Sequence, residues 1–344
     1  MAKALAREMR LPPLPTVRDL LRLYKIRAAK KLSQNFLLDP RIIERIVKVS
    51  GNLNGAHVCE VGPGPGGITR ALLSAGVEKI LVIEKDARFL PTLEMLREAA
   101  GGRIHIIMGD VLSYNMENAF PKDMKKAWEE ETPAIHLIGN LPFSVSTPLI
   151  IRWMKSVSAQ NSAWTYGRVP MTLTFQKEVA ERICAPVSSP QRCRLSVMCQ
   201  YLCDVKHKFN IQGGSFIPAP KVDVGVVHLT PRKSPIISLP FSLIEKVVRC
   251  TFHMRQKECH HSFATLIPPA LHQTLIPKIF AIAEVDPTTR PFQLTLEEFD
   301  RLCHAYNLLV EKVPEIGTYE YRAPRKERIS GEDLKPQLEK LFFL

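Results

Sequence analysis

Between residues 56 and 140 short apolar runs alternate with segments whose apolar positions recur at helical spacing. "AHVCEVG", "KILVIEKD", "IHIIMGD" and "AIHLIGN" read as strands buried on both faces. "ITRALLSAG", closed by Gly76, and "RFLPTLEMLREAA", closed by a Gly-Gly pair, read as helices between them. This alternation predicts a parallel sheet covered on both faces, with right-handed crossovers. Further on, "TPLIIRWMKS" reads as a helix with Thr147 as cap and Pro148 in its first turn. "MTLTFQ" is a fifth strand, and "KEVAERIC" and "LSVMCQYLC" are helices. "DVKHKFNI" and "DVGVVHLTP" form a late strand pair at the sheet edge. After Pro231 frequent prolines punctuate helical patterns such as "SLIEKVVRCTFHM" and "TLEEFDRLCHAYNLL", which predicts a small helical domain. Residues 311–344 hold seven basic and seven acidic residues with little periodicity, so a solvated, partly disordered tail is expected there. The chain shows no internal repeat.

Charge sharpens this picture. The formal net charge is +13, which favours a polyanionic partner, nucleic acid before membrane. No apolar run is long enough to span a bilayer as a helix. From Arg152 to Lys208 nine basic residues face three acids, and from Arg232 to Lys257 six face one, as expected for the walls of a basic cleft. Taken singly, each of these side chains reads more simply as part of a solvated helix face. The first 38 residues carry nine Lys or Arg and two acids, Glu8 and Asp19. That resembles a mitochondrial transit peptide, or an N-terminal arm that touches RNA. Eight cysteines without a C-x-x-C pair indicate a reducing compartment rather than a disulfide scaffold. Cys250, His253, Cys259, His260 and His261 cluster in sequence, but their spacing matches no common zinc pattern, so no metal is expected.

The chemistry concentrates in "CEVGPGPGGIT", Cys59 to Thr69. A strand ending near Glu60 feeds a glycine turn into a helix, whose free N–H groups and bare backbone make a ligand cradle. Gly62, Gly64 and Gly67 satisfy G-x-G-x-x-G, and Glu84 ends the next strand where a carboxylate accepts ribose hydroxyls, so a nicotinamide dinucleotide fits this motif too. Three features favour S-adenosylmethionine. Asp110 ends the third strand, placed to accept from an adenine amine. Glu60 sets a carboxylate beside the cradle, suited to a cationic ligand and awkward for pyrophosphate. The fourth strand ends in "GNLPF", facing the same crevice. An exocyclic amine is a poor nucleophile because its lone pair is delocalised into the ring. The Asn140 amide oxygen and the Leu141 carbonyl accepting its two N–H groups would favour a pyramidal nitrogen. Pro142 would stiffen the turn, and Phe143 offers a face for an extruded purine. The reaction would need no metal and no strong base, only positioning and electrostatics.

"QNFL", "EVGPGPGGIT", "IEKD", "GDVL", "GNLPFSVSTPLI", "FQKEVAERI" and "FIPAPKVDVGVV" occur in this order. As a set they resemble the KsgA-type ribosomal RNA adenine dimethyltransferases over about residues 30–230. The N-terminal "LPPLPT…AAKKLSQNFLLD" is similar to the mitochondrial branch, whose members are also called mitochondrial transcription factor B. The resemblance implies an α/β fold: a Rossmann-like S-adenosylmethionine-dependent methyltransferase sheet with a small C-terminal helical domain. The boundaries expected are a transit peptide or N-terminal arm at 1–28, a catalytic domain at 29–231, a helical RNA-binding domain at 232–310 and the tail at 311–344. Gln34, Asn35 and Leu37 would help bind the cofactor from the N-terminal segment. Glu60, Gly62 and Gly64 would line its methionine moiety, Glu84 would hold the ribose with Lys85 adjacent, and Asp110 and Val111 would contact the adenine. Asn140 would bridge cofactor and target base, and Phe216 would give the second face against Phe143. Many relatives carry Tyr at Phe143 and Ser at Val224; neither change removes a group the chemistry needs.

The implied activity is dimethylation of two adjacent adenines in a hairpin loop near the 3′ end of the small-subunit rRNA, in the mitochondrial matrix. Bases in a loop can be splayed out cheaply. The expected partners are that rRNA and the assembling small subunit, with the mitochondrial transcription machinery as a further candidate, and the chain is expected to act as a monomer. Two alternatives stay open: a transcription or ribosome-assembly factor that only binds nucleic acid, and a nicotinamide-dependent oxidoreductase.

Overall fold

A computed structural model describes residues 11–25, 28, 34–324, 329, 331, 332, 334 and 336. Of the expected N-terminal arm at 1–28, residues 1–10, 26 and 27 lie outside the described residues, as do 325–328, 330, 333, 335 and 337–344 of the expected tail. The chain divides into two compact units, one of Met1–Cys184 with Cys203–Lys233, the other of Ala185–Leu202 with Ser234–Leu344.

The first unit opens with α1 (Val17–Leu23), capped by the Thr16 hydroxyl, which accepts the Asp19 N–H at 3.1 Å. Then follow β1 (Phe36–Leu37), α2 (Pro40–Val49), β2 (His57–Val61), α3 (Gly67–Ser74), β3 (Lys79–Glu84), α4 (Leu90–Ala99), β4 (Ile104–Met108), β5 (Ile135–Gly139), α5 (Phe143–Ser158), β6 (Met171–Gln176) and α6 (Lys177–Cys184). The main sheet runs β4-β3-β2-β5-β6 in parallel. It ends in β9 (Val224–Pro231), antiparallel to β6, and β7 (Cys203–Ile211), antiparallel to β9 at the edge. The four strands read from the apolar runs of residues 56–140 thus sit side by side, and the late pair closes one edge. Burial explains why these runs become strands: Val58, Ile80, Val82, Leu137 and Ile138 are wholly inside, flanked by Leu72 of α3 and by Leu93 and Leu96 of α4. Gly139 is required at the end of β5, because a Cβ there would stand 2.9 Å from the Val61 carbonyl oxygen. Separately, β1 pairs antiparallel with β8 (Phe216–Ile217), Phe36 opposite Ile217 and Leu37 opposite Phe216.

Three expectations are corrected. First, α5 starts at Phe143, not at Thr147, so Phe143 is its first residue and Pro148 lies inside it. Pro142, in extended conformation, ends the β5 loop, and its carbonyl accepts the N–H of Val145 (2.9 Å) and Ser146 (3.1 Å), so the helix is under way before Pro148. Second, Ala185–Leu202, expected within the catalytic domain and containing α7 (Arg194–Gln200), belongs to the second unit. The wholly buried Arg192 accounts for this, donating to the carbonyls of Ala185 (3.2 Å) and Leu294 (3.3 Å) and to Gln200 Oε1 (3.1 Å). Third, the charged tail begins later than residue 311. In the second unit α8 (Phe241–Thr251), α9 (Cys259–Phe263), α10 (His272–Ala283) and α11 (Leu296–Lys312) are followed by α12 (Pro314–Thr318). Val313, Ile316 and Tyr319 are buried, and Lys246 Nζ donates to the carbonyls of Gly317 (2.6 Å) and Tyr319 (2.7 Å).

Candidate active site

The carboxyl ends of β2, β3 and β5 converge on one crevice, as the parallel order requires. Gly62 (φ +67°) and Gly64 (φ +53°) adopt the left-handed conformation that bends the chain from β2 toward α3. Glu84, at the end of β3, fixes this turn. Its carboxylate accepts the Gly64 N–H at 3.0 Å and the Asp86 N–H at 2.8 Å. Burial still raises the Glu84 pKa, so the hydrogen bonds offset only part of the desolvation. Glu60 is buried too, and its carboxylate accepts the Thr69 hydroxyl at 2.7 Å. Burial pushes its pKa up to about 8. A buried carboxylate beside the cradle, with no cationic partner among the described residues, fits the ammonium and sulfonium charges of S-adenosylmethionine. It does not fit a pyrophosphate.

The far end of the crevice is a cavity of about 150 Å³ lined by Glu84, Lys85, Asp110, Val111, Pro142 and Val145. Lys85 Nζ donates to Asp110 Oδ2 at 2.7 Å, and the Leu112 N–H to Asp110 Oδ1 at 2.9 Å. The lysine bond, with the Leu112 N–H second, holds the Asp110 carboxyl below its usual range, so Asp110 is an acceptor at neutral pH. Gln34 donates to Asp86 at 2.8 Å. Arg88 bonds to Asp86 as well and brings its pKa down to about 2.

The near end is the Asn-Leu-Pro-Phe corner. Asn140 is held from both sides of its amide: Nδ2 donates to the Asn35 carbonyl at 3.0 Å, and Oδ1 accepts from the Thr174 hydroxyl at 2.9 Å. The same Thr174 oxygen accepts the Leu141 N–H at 3.1 Å. Thr174, wholly buried on β6, therefore sets both the amide orientation and the turn of the backbone. An amide oxygen has two lone pairs, so one acceptor site of Asn140 and the Leu141 carbonyl remain for a ligand. Phe143 and Phe216 line the same cavity as Glu60, Gly62, Gly64 and Asn140.

The two adjoining cavities are lined by every residue expected from the sequence to bind the cofactor or the target base. Gln34, Asn35, Leu37, Glu60, Gly62, Gly64, Glu84, Asn140, Leu141, Phe143 and Phe216 line the first. Lys85, Asp110 and Val111 line the second, which shares Gln34, Gly62 and Glu84 with the first. Val224, where relatives carry Ser, is buried at the start of β9. Sequence reasoning missed Thr174 and Thr69. The signal for Thr174 is a hydroxyl inside an otherwise apolar strand, "MTLTFQ", but Thr172 carries the same signal and bonds to His228 instead. In the second unit Glu258, His260 and His261 bring potential ligand atoms within 4.8 Å of one another. Cys259 is instead buried, its thiol directed at the carbonyls of Asp286 and Pro287.

Along nearly its whole length the chain is similar to known proteins. "Dimethyladenosine transferase 1, mitochondrial" of Xenopus laevis is 52% identical over 331 residues, 96% of this chain and 96% of that protein. The Homo sapiens protein of the same name is 51% identical over 95% of each chain. The Drosophila melanogaster protein is 47% identical over 95% of this chain and 98% of its own. Among solved structures, a dimethyladenosine transferase from Plasmodium falciparum superposes with a TM-score of 0.59 at 22% identity, covering 78% of this chain and 96% of that one, which shows the shared fold. The family profile described as "Ribosomal RNA adenine dimethylase" matches residues 25–302. With its S-adenosylmethionine-type sheet and crevice, the chain belongs to the ribosomal RNA adenine dimethylase family and is an S-adenosylmethionine-dependent rRNA adenine dimethyltransferase.

Proposed function

We propose that this enzyme dimethylates the exocyclic amines of two adjacent adenines in a hairpin loop near the 3′ end of the mitochondrial small-subunit rRNA. In this reading it works in the matrix, as a monomer, and its product supports assembly of the small subunit. The observation that carries the catalytic part is the clamped Asn140: an amide fixed by Thr174 and Asn35, next to the Leu141 carbonyl and in one cavity with Phe143 and Phe216. The mitochondrial part rests on the relatives, which are named as mitochondrial.

Bound S-adenosylmethionine supplies an activated methyl group on a sulfonium. The residues of the chain do the rest. Glu60 and Glu84 hold the cationic and ribose portions, and Asp110 with Val111 holds the adenine. Phe143 and Phe216 sandwich the extruded target base; stacking of this kind contributes roughly 1–3 kcal/mol per base. Asn140 Oδ1 and the Leu141 carbonyl would accept hydrogen bonds from the two N–H groups of the target amine, favouring a pyramidal nitrogen whose lone pair is free to attack. The methylated nitrogen would then lose a proton to solvent, leaving one N–H for one acceptor, and the same corner would position the nitrogen for the second methyl. The test is methylation of a synthetic hairpin loop with paired adenines, read by mass. Two added methyl groups per adenine are expected. A loop returned unmodified, alongside measurable cofactor binding, would sink the substrate assignment.

A further inference from the structure

The first described helix carries a surface that the catalytic reading leaves unused. α1 is part of the folded unit: Leu20 is wholly buried, Leu14 and Leu21 pack on the core, and Arg70 Nη1 donates to the Pro15 carbonyl at 2.6 Å. Two of the residues that α1 turns outward, Arg18 and Arg22, are basic, as is Lys25 just beyond its end, and Leu23 is exposed as well. Arg18, Arg22 and Lys25 are exposed and line a groove of about 810 Å³ whose other wall is Ile217 and Pro218, with Phe36 in its floor. None of the described residues lining the groove is acidic. Asp19, the acid of this helix, is tied to Thr16 Oγ1 at 2.5 Å instead. Phe36 also lines the cavity that holds Asn140 and Phe143, so the groove abuts the pocket where the target base is placed.

We infer that this groove is a wall of the RNA-binding surface, where Arg18, Arg22 and Lys25 take phosphates of the strand leaving the target pocket. Charge complementarity identifies the occupant. Three cations, two on α1 and one just beyond its end, at sequence spacings of four and three, follow a polyanionic strand, while Leu21, Ile217 and Pro218 give an apolar face for sugars or unstacked bases. Such contacts fix the register of the substrate without reading its sequence. The inference rests on the proposed rRNA hairpin as substrate, and it assigns α1 to the working enzyme rather than to a discarded leader.

The test compares wild type with the triple variant Arg18→Gln, Arg22→Gln, Lys25→Gln, in hairpin binding across a salt series and in steady-state methylation. Loss of three phosphate contacts should weaken hairpin binding about tenfold at moderate salt and flatten the slope of log affinity against log salt by about two. KM for the hairpin should rise with little change in kcat, and cofactor affinity should stay at the wild-type value. Restoring the charge, with Lys in place of Arg18 and Arg22 and Lys25 kept, should recover the salt slope. Should the triple variant fail to fold, the single exchanges at Arg22 and Lys25, both on exposed side chains, give the same readout at about one unit of slope each. An unchanged slope in folded variants overturns the inference. So does a variant that loses binding only to anionic phosphatidylserine vesicles, which would make the groove a membrane contact. A wild-type enzyme that neither binds nor methylates the hairpin removes the substrate reading itself, a result distinct from these.

Discussion

The two ends of the catalytic crevice solve opposite problems. The cofactor end is lined by ionisable groups: Glu60, Glu84 and Asp110 all present carboxyl groups, two of them buried. The target end has no ionisable group at the corner, only an amide, a carbonyl and two phenyl rings. A cationic ligand can repay the desolvation of a buried carboxylate, so charge is useful where the cofactor sits. A neutral base cannot repay it. A corner that must aim a weak lone pair gains more from fixed dipoles, whose orientation is built in before the substrate arrives.

That contrast can be broken most severely at Asn140. Asn140→Ala should lower methylation of the hairpin at least a hundredfold, in the range seen when one preorganised polar group is deleted from an active site. Hairpin affinity, measured by filter binding, should stay within about tenfold. Comparable loss of binding and turnover would mean that the residue only supports the pocket. Glu60→Gln probes the charged end. At pH 9 it should weaken cofactor binding by calorimetry roughly tenfold to a hundredfold, the share of a charge-assisted contact, while leaving hairpin binding intact.

The pH profile sharpens the same distinction. Glu60 titrates near 8 in the folded protein against its ordinary value of 4.5. Between those values the folded chain holds a proton that the unfolded chain has released. Stability of the cofactor-free enzyme from this group is therefore full below about 4.5 and is lost as pH rises toward 8. A cation favours the ionised carboxylate, so cofactor affinity should move the other way, rising by up to tenfold per pH unit and levelling above 8. Both slopes should flatten in Glu60→Gln, and a wild-type affinity that is level from pH 6 to 8 would contradict the assignment. The smallest effect is expected at Thr174. Thr174→Val keeps the shape of β6 but removes the hydroxyl that orients Asn140, so kcat should fall roughly threefold to tenfold, the worth of one neutral hydrogen bond, with cofactor affinity unchanged.

Much of this was legible from residue pattern. Strands buried on both faces announce themselves as continuous apolar runs, and a glycine turn after one of them has few other uses, so both the parallel sheet and the cradle could be read directly. What escaped depended on partners distant in sequence. Thr174 and Thr172 look alike in "MTLTFQ", and only the neighbouring strands decide that one meets Asn140 and the other His228. Ala185–Leu202 reads as another catalytic-domain helix until Arg192 is seen bonding to Leu294, far along the chain. The start of α5 was displaced because Thr147-Pro148 imitates a cap, while the true start follows from the carbonyl of Pro142. The basic, leucine-bearing N-terminal segment reads equally well as a leader or as a helix, since the socket that buries Leu20 leaves no local trace.

The little ribbon of β1 and β8 has a consequence for how the enzyme is made. It joins Phe36 and Leu37, near the start of translation, to Phe216 and Ile217, which emerge much later. The parallel strands can begin to condense while the nascent chain is still growing, but the wall carrying Asn35 and Leu37 gains its partner strand only once Ile217 has left the exit tunnel. Tight capture of the methyl donor thus waits until most of the first unit has been made, and a product terminated before Phe216 would keep the parallel strands but lack β9 as well as β8, leaving β7 without its partner and the mouth unfinished.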